Sequence, residues 1–429
     1  MTGIALSPAG HSTLAQKIIA RAAGRDHVTP GEVVTAKVDL AMIHDSGGPR
    51  RVAPILKDLG VGLWDKDKVF LVSDHFVPGD TEEGAAILAL TRDWARDTGV
   101  RFHDGQGICH VVLPESGQLQ PGMFAVGGDS HSPTGGAMGA FMFGIGATEM
   151  AGVLATGEIW VKVPETIRIE WTGRLGNGLM AKDIMLALCG RLGMDGGKYQ
   201  AVEYTGEAIM ALSMQERMTL ANMAAELGGQ TGLIAPDEVT AAFLRSVGGN
   251  VPDLSDLHTD PDATVLEHHI FDATSLAPQV AAPHSPANAM PAGEAAKTAI
   301  SVAYVGACTG AKYEDLHAAA RILKGRNLAA GVALLVAPSS RRDQDRADKD
   351  GIMAVFEAAG AKILPNACGI CAGYGTHRLG ADVTCISSTA RNFKGRMGDA
   401  SAQVWLGSPL TVAAAAVAGH IVDPREMLA

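Results

Sequence analysis

Apolar and polar positions repeat along the chain with two periods, one typical of strands and the other of helices. Residues 33–43 form a mostly apolar run that predicts a strand, whereas residues 12–24 place apolar side chains at helical spacing and predict a helix. Residues 410–417 form a short alanine-rich run that predicts a buried helix. The same patterns predict further strands at 69–72, 166–171, 201–206, 300–305, 331–336, 361–364 and 383–387, and further helices at 50–59, 82–97, 180–192, 213–228, 313–324 and 351–359. Strands that alternate with helices in this way predict an α/β fold with largely parallel sheets.

One proline- and alanine-rich stretch, residues 276–298, interrupts this alternation. Such a composition is typical of an ordered loop or an interdomain linker. We therefore expect two α/β domains within residues 1–275 and a third within residues 299–429. A chain of 429 residues is long enough for this number of domains.

Charge and cysteine content narrow the class of protein. The net charge of −11 argues against broad binding to nucleic acid or to anionic membranes. Six cysteines in a chain of this length do not form a disulfide scaffold, and no uninterrupted apolar run approaches the length of a membrane span. Because the N-terminal residues also lack the pattern of a signal peptide, we expect a cytoplasmic protein.

Three of the cysteines suggest a metal site. Cys368 and Cys371 lie three positions apart in A-C-G-I-C, and Cys308 lies upstream in V-G-A-C-T-G. A C-x-x-C pair occurs in redox motifs, in zinc sites and in iron–sulfur sites. Zinc usually takes four ligands, and a redox pair would leave Cys308 without a role, whereas three thiols can hold a four-iron cluster with one iron left open. The spacing alone leaves a cluster, zinc and inert core thiols as alternatives.

Acidic and imidazole groups recur near the predicted strand ends. Asp74 and His75 follow one strand, Asp129 and His131 lie in G-G-D-S-H, and His110 is predicted to enter a strand together with Cys109. In open α/β sheets, sites gather at the carboxyl ends of strands. A neighbouring carboxylate fixes the tautomer of an imidazole and tunes its pKa. A lone histidine is more often structural, but several beside acids favour a catalytic site.

The fragment A-R-N-F-K-G-R places Arg391 and Arg396 five positions apart among small residues. A solvated surface is the ordinary environment of arginine. Two guanidinium groups after a predicted strand are nevertheless suited to clamp a carboxylate, since each can donate two parallel hydrogen bonds.

Four motifs in order, G-D-S-H-S-P-T-G-G-A-M-G, C-T-G-A-K-Y-E-D-L, A-C-G-I-C and R-N-F-K-G-R, resemble the aconitase superfamily. The large subunits of the 3-isopropylmalate dehydratase and homoaconitase type are the most similar, over roughly residues 35–425. The resemblance implies three α/β/α domains with largely parallel sheets around a central cluster site. It also favours a [4Fe–4S] cluster over the two alternatives, a zinc site and inert core thiols.

The resemblance assigns roles residue by residue. It implies cluster ligands at Cys308, Cys368 and Cys371, catalytic groups at Asp74, His75, His110, Asp129, His131 and Glu226, substrate contacts at His44, Ser130, Arg391 and Arg396, and a donor near the cluster at Asn222. The implied reaction is that of a hydro-lyase, in which the open iron binds a 2-hydroxy di- or tricarboxylate that is dehydrated, hydrated or isomerised. A non-catalytic cluster-binding or iron-sensing relative is the alternative, and a relative that keeps the fold without the cluster is a further one.

In the family, the base is a serine on a separate swivelling domain. The chain shows no such domain, so the resemblance implies a small-subunit partner that carries it. The stretch P-S-S-R-R at 338–342 is superficially similar to the family's serine–arginine loop but precedes the C-x-x-C motif, and we interpret it as an unrelated turn.

Two residues depart from the family pattern. Gly310 and Ala390 stand where the family usually has asparagine, so each removes an amide near the cluster or the substrate. We therefore expect a substrate related to that of the leucine-pathway enzyme but different from it, such as a maleate- or dimethylmalate-type diacid.

Overall fold

A computed structural model of the chain describes residues 11–428. In chain order, the strands are β1 (Val33–Lys37), β2 (Leu40–His44), β3 (Val69–Ser73), β4 (Phe102–Asp104), β5 (Phe124–Gly127), β6 (Phe141–Gly144), β7 (Glu158–Lys162), β8 (Thr166–Thr172), β9 (Ala201–Thr205), β10 (Thr231–Leu233), β11 (Glu267–Asp272), β12 (Gln279–Ala281), β13 (Ala289–Pro291), β14 (Val302–Val305), β15 (Ala333–Val336), β16 (Lys362–Ile363), β17 (Thr384–Ser387) and β18 (Gln403–Gly407). The helices are α1 (Leu14–Ala23), α2 (Pro49–Leu59), α3 (Glu82–Thr98), α4 (Cys109–Glu115), α5 (Ala147–Thr156), α6 (Ala181–Leu192), α7 (Glu207–Met210), α8 (Met214–Met223), α9 (Glu238–Ser246), α10 (Tyr313–Leu323), α11 (Arg341–Lys349), α12 (Ile352–Ala359) and α13 (Pro409–Ala418).

The first sheet is parallel throughout, with strand order β4-β3-β2-β5-β6. Its central strands β2 and β3 are buried along their whole length. Ile43 and Leu71 pack into the apolar core on one face, and Met42 and Val72 into the core on the other. A sheet covered on both faces explains why these strands are continuous apolar runs rather than alternating ones.

Two further sheets complete the main architecture, and both are largely parallel, as predicted. The second has the order β10-β9-β8-β11, and all its pairs are parallel. The third has the order β13-β12-β18-β17-β14-β15-β16, with parallel pairing from β18 to β16. Strands β12 and β13 pair antiparallel and come from the stretch 276–298, so this stretch adds two short strands to the edge of the third sheet.

The prediction that Cys109 and His110 enter a strand is wrong. Both residues begin helix α4, because the carboxylate of Asp74 accepts the backbone N–H of Cys109 at 2.8 Å and satisfies the first turn of the helix. The residues of this helix are buried on every side from Cys109 to Pro114, so their apolar pattern carries no period that distinguishes a helix from a strand.

Helix α8 begins as predicted but is shorter than predicted. The side chain of Ser213 accepts the backbone N–H of Glu216 at 3.3 Å. The regular helix ends at Met223, and turns continue the chain to Gly228. Helix α13 contains the predicted apolar run and is buried, and within residues 11–428 no helix has both the length and the apolar character that a bilayer span requires.

Candidate active site

A cavity of about 310 Å³ lies between the carboxyl ends of the first and third sheets. Its walls are formed by His44, Ser46, Gly47, Arg51, His75, His110, Gly128, Asp129, Ser130, His131, Ala307, Cys308, Cys368, Cys371, Ala372, Tyr374, Ala390, Arg391 and Arg396. Nearly all the residues predicted from the sequence are therefore brought together. Asp74, Asn222 and Glu226 lie one layer behind this wall, each hydrogen-bonded to a residue that lines it.

Parallel strands explain why residues so distant in sequence meet here. His44 is the last residue of β2, Asp74 and His75 follow β3, and Asp129 follows β5. From the third sheet, Cys308 follows β14 and Cys368 follows β16. Because parallel strands end at the same edge of a sheet, two such edges that face each other place imidazoles and thiols on opposite walls of one cavity.

The three cysteines form the thiol wall, which we define as Cys308, Cys368 and Cys371. None of the three takes part in a disulfide. Asn222 donates from Nδ2 to Cys308 Sγ at 3.2 Å, so an amide lies behind one sulfur. Burial raises the pKa of Cys308 to about 12 and that of Cys368 well above its ordinary value. Cys308 and Cys368 are therefore neutral by themselves, and a metal that binds them must displace their protons.

His75 and Asp74 form a buried pair in which Nδ1 lies 2.6 Å from Asp74 Oδ1. Burial alone lowers the pKa of His75, but the Asp74 carboxylate raises it to about 10. Burial alone raises the pKa of Asp74, but His75 lowers it to about 2. The pair is therefore an imidazolium beside a carboxylate at neutral pH.

His44 stacks on His75 with ring centroids 4.2 Å apart. Burial and the neighbouring charge of His75 both lower the pKa of His44. Asp45, directly after it, accepts the backbone N–H groups of His75 at 3.1 Å and of Phe76 at 2.9 Å. These bonds fix the ends of β2 and β3 relative to each other, so one charged and one neutral imidazole face the cavity side by side.

Asp129 and Glu226 hold the other two imidazoles. His110 Nε2 lies 2.8 Å from Asp129 Oδ1, which also accepts the backbone N–H of His131 at 2.8 Å. His131 Nε2 lies 3.0 Å from Glu226 Oε1. Burial raises the pKa of Glu226, but His131 and Arg391 lower it to about 2. Each imidazole predicted to pair with an acid therefore does so in the structure.

The two arginines lie at different depths beside this constellation. Arg391 donates from Nη1 to Ser130 Oγ at 2.9 Å and from Nε to Glu226. Burial lowers the pKa of Arg396, but Cys371 and Cys368 raise it, and the net shift is upward. Arg391 thus lies among the polar groups of the imidazole wall, which we define as His44, His75, His110 and His131. Arg396 lies beside the thiol wall.

The stretch 338–342 does not contribute to the cavity. Ser339 is fully buried and donates to Ala307 O at 2.8 Å. Ser340 donates to Glu115 Oε1 at 2.9 Å and caps helix α11. Both hydroxyls are thus used in structural contacts, which agrees with the interpretation of this stretch as unrelated to the family's serine–arginine loop.

The structure also accounts for Gly310. A Cβ at this position would lie 2.3 Å from both Cβ and Oγ of Ser388, closer than real atoms approach. Ser388 accepts the backbone N–H of Gly306 at 2.9 Å and so braces the turn that carries Cys308. The space beside residue 310 is therefore filled by Ser388, and Ala390 lines the cavity two positions later.

Sequence reasoning missed several residues that belong to the site or support it. Tyr374 lines the cavity beside His75, and its hydroxyl lies 3.4 Å from Ser46 Oγ. Arg51 is exposed at the cavity wall. Tyr374 follows the C-x-x-C motif by three residues, and Arg51 follows His44 by seven, so nearness in sequence to a predicted site residue was the available signal.

Comparisons with known proteins agree with this geometry. The family model described as aconitase family (aconitate hydratase) matches residues 17–419. Over 419 residues, the chain is 43% identical to 3-isopropylmalate dehydratase large subunit 1 of Methanopyrus kandleri, covering 97% of this chain and 99% of that protein. It is 41% identical to the probable methanogen homoaconitase large subunit of Methanothermobacter thermautotrophicus (96% and 97% covered). It is 40% identical to the 3-isopropylmalate dehydratase large subunit of a Hydrogenobaculum species (97% and 98% covered). This chain therefore belongs to the aconitase family.

Proposed function

We propose that the chain is the cluster-bearing large subunit of a hydro-lyase that dehydrates, hydrates or isomerises a short 2-hydroxy dicarboxylic acid. The observation that carries the proposal is a cavity in which three free thiols face four imidazoles, three of them held by a carboxylate. A non-catalytic cluster-binding or iron-sensing relative would not need these pairs, and the named relatives are dehydratase and homoaconitase subunits.

The donor set of the thiol wall fits a [4Fe–4S] cluster. Its three sulfurs share one cavity, and an amide N–H donates to one of them. Hydrogen bonds to sulfur and the surrounding burial are the means by which a protein tunes such a group. When bound there, a cluster with one iron free of cysteine ligands supplies a Lewis acid that polarises a hydroxyl group.

Residues of the imidazole wall hold the substrate and move protons. Arg391 and Ser130 lie at the exposed side of the cavity and bind a carboxylate of the substrate. His75, as an imidazolium, carries a proton on both ring nitrogens; Nδ1 donates to Asp74, and Nε2 lies 3.9 Å from Asp129 Oδ2 on the cavity side. His75 therefore donates a proton to the leaving hydroxyl, while Asp129 orients His110 beside it.

A partner chain supplies the base that takes the proton from carbon. Of the serines in the described residues, only Ser46 and Ser130 line the cavity, and Ser130 is engaged by Arg391. Related chains covered over nearly their whole length are named large subunits. We infer that a small subunit with a swivelling domain closes the cavity and brings the catalytic serine.

The substrate is a small diacid rather than one with a branched apolar tail. Among the residues that line the cavity within the described part of the chain, the apolar ones are glycine and alanine, with the ring of Tyr374. Gly310 and Ala390 further remove two amides that the family usually has. A maleate- or dimethylmalate-type acid fits this polar, small-residue wall.

The test is an anaerobic assay of the chain co-expressed with a candidate small subunit that carries a swivelling domain. We expect a complex that contains iron and sulfide and that hydrates at least one short unsaturated diacid. The loss of alkene absorbance measures this hydration. A complex that holds the cluster but turns over no diacid would favour the non-catalytic alternative. Zinc in place of iron and sulfide would overturn the cluster assignment.

A further inference from the structure

Lys182, in the first turn of α6, is buried behind the thiol wall and has no part in the chemistry proposed above. Only 1% of its surface is exposed. Its Nζ donates to Ser388 O at 2.8 Å, to Thr309 Oγ1 at 3.2 Å and to Thr389 O. These acceptors lie in the two loops that carry Cys308 and Arg391, so the ammonium group joins both sides of the site.

All these acceptors are neutral, which sets Lys182 apart from the other buried cations. Among residues 11–428, the buried lysine and arginine side chains are Lys182, Arg217 and Lys312. Lys312 lies 2.7 Å from Asp315, and Arg217 lies 2.7 Å from Asp237. No carboxylate oxygen of the described residues lies within 4 Å of Lys182 Nζ.

A buried ammonium without an anion is costly, and its own titration reflects that cost. Burial lowers the pKa of Lys182 to about 8, and the negative charge of Glu226 acts in the opposite direction. The residues behind Cys308 thus present a positive charge whose contacts are all neutral oxygen atoms.

We propose that Lys182 is a positioning residue whose ammonium is the counter-charge of the cysteine ligands and their cluster. The inference rests on the proposed [4Fe–4S] site. Cysteine ligands that hold a cluster would be thiolates, and the negative charge of this unit would supply the anion that Lys182 lacks. Because the surroundings are buried, the attraction is weakly screened and acts on the cluster without contact to the substrate.

A positive charge near a cluster stabilises its more negative, reduced form. Removal of that charge therefore lowers the reduction potential and weakens retention of the cluster. Lys182→Met removes both the charge and the donors, whereas Lys182→Gln removes the charge but keeps an N–H donor for Ser388 O. The two variants together separate charge from hydrogen bonding.

The measurement is an EPR-monitored redox titration of the complex with its partner, with iron and sulfide assays after anaerobic reconstitution. We expect both variants to lower the midpoint potential by about 59 mV or more, a tenfold change in the one-electron equilibrium constant. Circular dichroism of each variant before reconstitution checks folding. If Lys182→Met does not fold, the midpoint potential of Lys182→Gln decides the test. A folded variant that binds no cluster, under conditions in which the wild-type chain binds one, also supports the proposal.

The matched control is the double variant Lys312→Met with Asp315→Leu, which removes an equally buried ammonium together with its carboxylate. Because this pair is neutral, we expect a smaller shift. Suppose that the Lys182→Gln variant binds the cluster but its midpoint potential is unchanged, or shifts no more than that of the control. This result would overturn the counter-charge role of Lys182 and leave the proposed function standing. A wild-type complex that binds no iron or sulfide would overturn the proposed function, and this inference with it.

Discussion

At the scale of single residues, the charges of His44 and His75 follow from what lies beside each ring. His75 is charged because Asp74 contacts its Nδ1, whereas the pKa of His44, stacked on it, is lowered by burial and by that same charge. A sequence shows that Asp74 and His75 are adjacent, but not that the neighbouring strand end brings Asp45 to the backbone of His75 and Phe76. The roles of these residues stay predictions, and each can be tested separately.

Replacement of Asp74 should destabilise the fold in a pH-dependent way. The pKa of His75 is about 10 in the folded chain and ordinarily 6.5, so the stability from its charged form is fully present below pH 6.5 and is lost as the pH rises toward 10. We expect Asp74→Asn to lower the free energy of unfolding by roughly 3–5 kcal/mol at pH 6 and by clearly less at pH 9. Urea denaturation at both pH values measures this. An equal loss of unfolding free energy at both pH values would contradict the pairing of Asp74 with His75. A similar pH trend in the exposed control Asp67→Asn would contradict it too.

Replacement of one thiol should remove the cluster without unfolding the chain. Cys371→Ser keeps the size of a buried side chain but offers a poor iron ligand, so we expect iron to fall from about four per chain to a small fraction and turnover to cease. Cys385→Ala is the control, since Cys385 is buried in β17 away from the cavity. Iron and sulfide assays after anaerobic reconstitution decide. Full iron content and turnover in Cys371→Ser would refute the ligand assignment.

How much of the site was predictable depended on how its residues are spaced along the chain. Asp74 with His75, Asp129 with His131, and the C-x-x-C pair are local in sequence, and local patterns revealed them. Glu226 is 95 positions from His131, and only the resemblance linked the two. Lys182 was missed because one lysine on an apolar helix normally reaches solvent, and only the tertiary structure shows that it does not.

At the scale of elements, the ends of strands and helices determine where the side chains of the candidate site lie. The apolar run of β3 was predicted as a strand, whereas the single strand predicted over residues 33–43 is divided into β1 and β2, which belong to different sheets. Parallel pairing brings the ends of β2, β3 and β5 together. Helix α4 was mistaken for a strand because its first N–H is satisfied by Asp74, a residue 35 positions away. A cap supplied through the tertiary fold leaves no local signal in the sequence.

The turn around Gly310 offers a test at this scale. Gly310→Ala places a Cβ against Ser388, and we expect it to lower the free energy of unfolding by about 1–3 kcal/mol. In a Ser388→Gly background the same change should cost much less, because the clashing atoms are gone. A double-mutant cycle by urea denaturation measures this coupling. Strictly additive effects would show that the turn relaxes away from Ser388 and that the glycine is not required by it.

At the scale of the whole molecule, the cavity depends on how the first and third sheets are held together. A junction of backbone hydrogen bonds does this: Ile108 N–H donates to Ser339 O at 2.8 Å, and Arg341 N–H donates to Gln106 O at 2.9 Å. Behind these bonds, Ser340 Oγ donates to Glu115 of α4 and accepts the N–H of Asp343 of α11. Helix α4 carries His110, and Ser339 Oγ donates to the backbone oxygen of Ala307, next to Cys308, so this junction sets the distance between the two walls of the site.

The junction contains two buried acids, and this predicts its pH dependence. Burial and the neighbouring Asp343 raise the pKa of Glu115 to about 8, and burial raises that of Asp343 to about 6. For an acid whose folded pKa is raised, no penalty exists below its unfolded pKa, and stability is lost as the pH rises toward the folded value. The wild-type chain should therefore lose stability between about pH 4.5 and 8.

Glu115→Gln removes the proton that this junction must retain while keeping an acceptor for Ser340. We expect the variant to match the wild-type chain at pH 5 and to exceed its free energy of unfolding by about 1–3 kcal/mol at pH 8, as measured by urea denaturation. The exposed Glu158→Gln should show no such difference between the two pH values. If Glu115→Gln were instead less stable than the wild-type chain at pH 8, the Glu115 carboxylate would be ionised in the folded state. The two sheets would then be held together by an ionised carboxylate rather than by a neutral hydrogen bond.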